Sequence, residues 1–157
     1  MCAILDANVV HEVFKVDGHD AGKQFLEWIN TGRGHLVIGG KLTAELSKAS
    51  ESFRQWAKIA RIQGKMTIVH DGEVDQTEKD LTDAGNCISD DTHIIALAQV
   101  SGARLLYSND EALHKDFGNK KLIDHPRGKI YSTIRGRDFS KTHRDLLANR
   151  NLCGAKS

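Results

Sequence analysis

Short apolar runs alternate with helical stretches along this chain, and this alternation constrains the fold more than any other feature. The first run, Cys2 to Leu5, is continuous and apolar, as expected for a central strand of a parallel sheet. Further strands are expected at about residues 36–38, 66–69 and 104–107, and residues 122–123 and 129–131 are weaker strand candidates. Between the strands, the sequence predicts a long helix over about residues 41–63 and a short helix over residues 77–84. Strands that alternate with helices in this way predict an α/β fold with a parallel sheet.

Four carboxylates lie where the expected strands end or helices begin: Asp6, Glu45, Asp91 and Asp110. Asp6 closes the first strand, and Asp110 follows the run Leu105–Tyr107. Glu45 lies early in the helix after the second strand, and Asp91 opens the helix that leads into the fourth. Ligands of an open parallel sheet bind at the carboxyl ends of its strands, so all four acids are expected to converge there.

Converging carboxylates repel one another unless they share a proton or a cation. A set of oxygen donors suits Mg²⁺ or Mn²⁺, and either cation can promote phosphodiester hydrolysis. Asp6 is the clearest candidate, because a charge at the end of an apolar strand is costly unless it is paired or coordinating. Glu45 alone is also compatible with a solvated helix start. Asp90 and Asp91 compete, since either can be a helix N-cap or a ligand.

The segments around these acids resemble the PIN-domain family of nucleases over roughly residues 2 to 117. The matching stretches are Ile4–Asn8, Leu42–Leu46, Asp91–Ala98 and Gly102–Asp110. The resemblance implies a three-layer α/β/α fold with a central parallel sheet of four to five strands. Independently of the resemblance, the length of 157 residues predicts one domain over residues 1–157, in which 118–157 are expected to form a basic C-terminal extension packed on or near the core.

The family resemblance also assigns roles to individual residues. It selects Asp91 rather than Asp90 as a metal ligand and leaves Asp90 as the helix cap. Asn8, Ser108 and Asn109 are expected to support the acids, and Mg²⁺ or Mn²⁺ is the expected cofactor. Asp116 is a candidate acid behind the ligands, although an exposed position is the favoured interpretation.

Family members are usually endonucleases that act on single-stranded RNA, and VapC-like toxin endoribonucleases are the nearest functional group. The expected partners are therefore single-stranded RNA, an antitoxin or other protein inhibitor, and a second copy in a homodimer. Two alternatives stay open at this point: a stand-alone RNA-processing or defence nuclease, and an inactive PIN-like module that only binds RNA or protein.

The charges are unevenly distributed. Residues 115–157 contain eleven Lys and Arg and four Asp, a net charge of +7, which leaves −6 for the rest of a chain whose total is +1. An acidic body with a basic segment favours a polyanionic substrate over a merely solvated tail. The expected contacts to nucleic acid come from a helical stripe and from this segment: Arg54, Lys58, Arg61, Arg135 and Arg137.

The remaining composition indicates the compartment. The chain enters a strand at once without a signal-peptide pattern, and no apolar run approaches the roughly 20 residues of a membrane span. A cytoplasmic protein without membrane association is expected. The three cysteines Cys2, Cys87 and Cys153 are interpreted as buried or incidental thiols, and the scattered histidines indicate no zinc site.

Other enzymes with an Asp after the first strand fit the sequence less well. A haloacid dehalogenase phosphatase needs a second acid two positions on, where this chain has Asn8. A response-regulator receiver needs a pair of acids after the N-terminal strand, and a dinucleotide-binding enzyme needs a glycine-rich turn there. The sequence has neither feature at this position.

Overall fold

A parallel sheet forms the centre of the molecule. The computed structural model describes residues 2–15 and 19–153, and within them five strands pair in the order β3-β2-β1-β4-β5. Every pairing in the sheet is parallel. The strands are β1 Cys2–Leu5, β2 His35–Gly39, β3 Met66–Val69, β4 Leu105–Tyr107 and β5 Lys129–Tyr131. The predicted α/β/α architecture is confirmed.

Helices connect the strands and bury their apolar faces against the sheet. They are α1 Val10–Phe14, α2 Asp20–Asn30, α3 Lys41–Ala49, α4 Glu51–Ile62, α5 Asp71–Ala84, α6 Thr92–Ser101, α7 Glu111–Phe117 and α8 Lys141–Ala148. A 3₁₀ turn, Ala7–Val9, separates β1 from α1. No helix in the part of the chain described is long and apolar enough to span a membrane.

Two expected boundaries are wrong. The single helix expected from Lys41 to Gln63 is two helices, because Ser50 has an extended backbone and its hydroxyl accepts a hydrogen bond from the Phe53 amide at 3.0 Å. This N-cap starts a new helix. The polar stretch expected to hold a short helix at Thr77–Ala84 is helical from Asp71 onward.

Residues beyond 118 contribute to the sheet and the core. β5 pairs with β4 along its length, and Leu122, Ile123 and Leu147 are buried in the main hydrophobic cluster. Leu122 and Ile123, which are weak strand candidates by sequence, lie in a turn rather than a strand. Lys156 of the basic segment lies outside the described residues.

The interpretation of all three cysteines as unpaired thiols is wrong. Cys2 in β1 and Cys153 form a disulfide with a Cα–Cα distance of 5.3 Å, whereas Cys87 is free. The adjacent backbone is also held to the sheet, because the Arg104 amide donates to the Leu152 carbonyl at 2.9 Å. The disulfide therefore closes the chain onto its first strand.

We expect Cys153→Ser to lower the free energy of unfolding by about 2–4 kcal/mol, because a long-range disulfide restricts the unfolded chain. Denaturant unfolding without reductant measures this difference, and Cys87→Ser is the matched control. Reduction of the wild-type protein should produce the same loss. A wild-type transition that does not respond to a reductant that reaches the bond would contradict this expectation.

Candidate metal centre

Asp6 lies at the centre of the carboxyl edge of the sheet. β1 is flanked by β2 and β4, and the Asp6 amide continues the pairing by donating to the Tyr107 carbonyl at 2.9 Å. Its buried carboxylate accepts hydrogen bonds from the Ser108 hydroxyl at 2.8 Å and the Asn8 amide at 3.2 Å. The second bond makes Asp6 the N-cap of the 3₁₀ turn as well. The side chain is thus held at this edge from two sides.

Glu45 reaches the same edge from α3. Gly40 turns the chain between β2 and α3 with a φ of +57°, and a Cβ there would lie 2.8 Å from Val74 Cγ1. Glycine therefore allows both the positive φ and the close packing. Leu42 and Leu46 are buried, which leaves Glu45 at the border of the buried face with a side chain that is partly exposed.

His93 joins Glu45 and Asp91 in one group. Their donor atoms all lie within 4.8 Å of one another, and His93 Nε2 donates to Glu45 Oε1 at 2.6 Å. His93 is buried in the first turn of α6. It belongs to no pair of histidines in the sequence, and its contact with Glu45 runs across 48 positions, so the sequence carried no signal for it. A histidine bonded to a carboxylate in this way fixes the orientation of both side chains.

Asp91 occupies the N-cap position of α6, but its side chain makes no capping hydrogen bond. The expectation that Asp90 would be the cap is wrong, since Asp90 is one residue further out and exposed. The half-buried Asp91 carboxylate is consequently not used by the start of its own helix. It faces the group that contains Glu45 and His93.

Asp110 caps a helix and is also connected to Asp6 through Ser108. Its Oδ1 caps α7 by accepting from the amides of Ala112 at 3.0 Å and Leu113 at 3.2 Å. The Asp110 amide in turn donates to the Ser108 hydroxyl at 3.1 Å. The same Ser108 hydroxyl donates to Asp6, so one buried side chain connects the two acids.

The four carboxylates repel one another in the absence of a cation. Burial, and then the charge of Asp6, raise the pKa of Asp91 to about 6, although His93 opposes the shift. Burial also raises the pKa of Asp6, with smaller contributions from Asp110 and Glu45, against hydrogen bonds from Ser108 and Asn8. All four acids therefore lie close enough to influence one another. They carry unfavourable charge that a cation would neutralise.

The three supporting residues differ in how they act. Ser108 contacts Asp6 directly, whereas Asn8 has an exposed side chain and contributes its backbone amide. Asn109 bonds instead to residues outside the four acids: its Nδ2 donates to Glu12 Oε2 at 3.1 Å and to Thr133 Oγ1 at 2.8 Å. Asn109 thus fixes the turn between β4 and α7.

Glu12 and Asp116 are buried acids. The sequence pattern assigns no role to Glu12 and favours an exposed position for Asp116. Glu12 accepts hydrogen bonds from the Tyr107 hydroxyl at 2.8 Å and the Thr133 hydroxyl at 2.6 Å, and burial followed by Glu12 raises the pKa of Tyr107. The one signal was a Glu within the apolar stretch 9–13. The expectation that Asp116 is exposed is wrong, since the residue is only 2% exposed.

The expected nucleic-acid contacts lie on two surfaces. Arg54, Lys58 and Arg61 are residues of α4, and all three are exposed. Arg135 and Arg137 are exposed in the loop between β5 and α8. Arg135 lines a cavity of about 640 Å³ together with Glu111, the residue that follows Asp110. The Arg135 side of the molecule thus adjoins the start of α7, where one of the acids lies.

Comparison with known proteins identifies the family. The PIN domain model matches residues 3–117, which include all four acids. The chain belongs to the PIN domain family. A solved structure of the VapBC2 complex from Rickettsia felis, bound to a DNA fragment from its promoter, has 19% identity and a TM-score of 0.46, and the match covers 84% of this chain and 98% of that one. No curated protein matches significantly.

Acids from separate elements share one edge of the sheet. In this PIN domain, Asp6 follows β1, Glu45 lies on α3, and Asp91 and Asp110 stand at the starts of α6 and α7. These elements lie far apart in sequence, so only the folded sheet brings their carboxylates together.

The raised pKa of Asp91 predicts a pH dependence of stability. An Asp whose folded pKa of about 6 exceeds its ordinary value of about 3.9 binds its proton more tightly in the folded protein. The stability of the metal-free protein should therefore fall as pH rises from about 4 to 6. Above about pH 6, titration of Asp91 should contribute little further change.

The measurement is the difference in melting temperature between Asp91→Asn and wild type, in EDTA, across pH 4 to 8. We expect Asp91→Asn to be relatively more stable at pH 7 than at pH 4, because the charge is absent from the variant. Asp83→Asn, at an exposed position on α5, controls for general charge. A difference that is the same at every pH would contradict the electrostatic account.

Proposed function

We propose that this PIN domain is a metal-dependent endonuclease that hydrolyses phosphodiester bonds in single-stranded RNA. The observation that carries the proposal is the cluster at the carboxyl edge of the sheet, where Asp6 and Asp91 have raised pKa values. A site that concentrates repelling carboxylates loses stability in the absence of a cation. A bound cation therefore explains the presence of these acids at one edge better than a contribution to the stability of the fold does.

The donor set fits a divalent cation such as Mg²⁺ or Mn²⁺. Asp6, Glu45, Asp91 and Asp110 offer carboxylate oxygens, which both ions prefer. His93 is better placed to orient Glu45 than to ligate, since its Nε2 is used by their hydrogen bond. When bound, the cation would lower the pKa of water and neutralise charge on the phosphate.

The chain itself supplies orientation. Ser108 donates to Asp6 and accepts from the Asp110 amide, so it sets the separation of two proposed ligands. His93 holds Glu45, and Asp91 is left free of capping bonds. A phosphodiester bound here would meet a prearranged set of acids, which reduces the reorganisation required for hydrolysis.

The proposed contacts to the substrate backbone are Arg135 and Arg137, with Arg54, Lys58 and Arg61 as a second group. Arginine forms bidentate hydrogen bonds with phosphate, and the first pair follows β5, next to the edge where the acids lie. α4 also exposes Ile59 and Ile62, which are 59% and 88% exposed. That mixed surface supports contact with a protein, such as an inhibitor or a second copy, as well as with RNA.

The biological role proposed first is the toxin of a toxin–antitoxin pair in the cytoplasm, on the basis of the family. A stand-alone RNA-processing or defence nuclease is the alternative. A small DNA-binding antitoxin encoded by the neighbouring gene, able to bind this chain and block cleavage, would select the first role. Unblocked activity on cellular RNA would select the second.

Asp6→Asn should reduce cleavage of labelled single-stranded RNA to background and leave the fold intact or stabilised. The substitution removes a proposed ligand and also relieves repulsion within the cluster. Cleavage with Mn²⁺ and the melting temperature are measured on the same preparation, with Asp83→Asn as control. Cleavage by folded Asp6→Asn at the rate of the wild-type protein would refute the site. If the wild-type protein itself does not cleave RNA, the alternative of an RNA- or protein-binding module stands.

Mg²⁺ or Mn²⁺ should raise the melting temperature, and EDTA should reverse the rise. A cation that binds only the folded cluster stabilises it by about 2.7 kcal/mol at a hundredfold excess over its dissociation constant. The rise should be smaller in Asp91→Asn than in Asp83→Asn. Equal shifts in the two variants would place the binding elsewhere.

Replacement of Arg135 and Arg137 by Ala should weaken RNA binding and flatten its salt dependence. Removal of one arginine that binds a phosphate should reduce the slope of log K against log salt by about 0.7 for single strands. Binding is measured with Asp6→Asn as the uncleaving background and Lys79→Ala on α5 as the control. An unchanged slope would exclude these arginines from binding the phosphates.

A further inference from the structure

We propose that Asp116 is a positioning residue that holds Asp91 in its place within the metal centre. This inference rests on the proposed function and assigns a role to a residue outside the four acids. Asp116 lies near the end of α7, the helix that Asp110 caps at its start. α7 would thus serve two of the proposed ligands, one at each end.

The Asp116 carboxylate is directed at the segment before Asp91. Its two oxygens accept from the Ile88 amide at 3.0 and 3.1 Å, and Oδ2 also accepts from the Ser89 amide at 2.9 Å. Bonds from backbone amides to a buried carboxylate are charge-assisted and short. They connect α7 to a segment 27 and 28 residues earlier in the chain.

The connection continues from Ser89 to Asp91. The Ser89 hydroxyl is buried and accepts a hydrogen bond from the Asp91 amide at 3.3 Å. Asp116 therefore fixes Ser89, and Ser89 in turn fixes the backbone of Asp91. The path passes through two hydrogen bonds and ends at the acid whose carboxylate is free of capping bonds.

This segment buries little apolar surface, although the partly buried Cys87 packs against the core. Among residues 85–90, between α5 and α6, only Ser89 is buried, and Ile88 is 63% exposed. A segment with little buried apolar surface opens readily unless polar contacts restrain it. The bonds from Asp116 to Ile88 and Ser89 are consequently a direct restraint on the approach to Asp91.

Asp116 occupies an unfavourable position for a purely structural residue. A carboxylate in the last turn of a helix opposes the helix dipole, and burial of a charge is costly. No Lys, Arg or His pairs with it within the described ranges. The amides of Ile88 and Ser89 offset this cost, which explains why the two parts of the chain are held together here.

The experiment compares Asp116→Asn with Asp83→Asn, an exposed site with the same charge change. Three quantities are measured: amide exchange of Ile88 and Ser89, the dissociation constant of Mn²⁺, and kcat and KM on labelled single-stranded RNA. We expect faster exchange, Mn²⁺ affinity weakened about 10- to 100-fold, and a fall in kcat with little change in KM. The control should resemble the wild type in all three.

The experiment distinguishes a failure of the positioning role from a failure of the proposed function. Faster exchange with unchanged Mn²⁺ affinity and kcat would overturn the positioning role and leave the proposed function standing. Failure of the wild-type protein to bind Mn²⁺ or cleave RNA would overturn the proposed function, and the inference with it. If Asp116→Asn does not fold, Ser89→Ala tests the same path. A smaller loss of Mn²⁺ affinity in folded Ser89→Ala supports the role, and unchanged affinity overturns it.

Discussion

The repulsion among carboxylates at one edge of the sheet is the constraint around which this molecule is arranged. Strand β1 lies between β2 and β4, so Asp6 at its end faces acids carried by the segments on either side. Burial and the neighbouring acids together raise the pKa of Asp91 to about 6. The fold maintains this arrangement with hydrogen bonds that fix three of the four acids separately: Ser108 at Asp6, His93 at Glu45 and the α7 amides at Asp110.

Two buried acids outside the cluster, Glu12 and Asp116, help the fold to hold the four repelling carboxylates in place. Glu12 holds the turn after β4 through Tyr107, Asn109 and Thr133, and Asp116 holds the segment before α6. Both are buried and both accept several hydrogen bonds, so their charges are satisfied locally. Rigid support of this kind keeps the turns that carry the four acids from relaxing apart, which the repulsion within the cluster would otherwise favour.

Much of the fold could be predicted because its signals are local. A continuous apolar run ending in Asp6 and a run ending near Asp110 both indicate buried parallel strands, and the structure confirms both. The break between α3 and α4 was missed because Ser50 lies within an uninterrupted helical pattern, where its capping role depends on the backbone turn. The disulfide was missed because Cys2 and Cys153 are 151 residues apart, and only the folded chain brings them together.

The site was predictable to the extent that its residues follow strand ends. Asp6 and Asp110 could be located in this way, whereas the contacts of His93, Glu12 and Asp116 run across the fold. His93 bonds to a residue 48 positions away, and Asp116 bonds to amides 27 and 28 positions away. Sequence spacing carries no information on such pairs, and a buried acid is indistinguishable from an exposed one until its partners are known.

Anomalous diffraction from crystals soaked in Mn²⁺ tests the central claim most directly, because it locates the ion without relying on activity. We expect a peak at the carboxyl edge of the sheet, within coordination distance of Asp6 and Asp91 and with Glu45 or Asp110 beside it. Crystals of Asp6→Asn should show a much weaker peak at the same place. Absence of a peak in wild-type crystals, or a peak that Asp6→Asn leaves unchanged, would contradict the assignment of this edge as a metal centre.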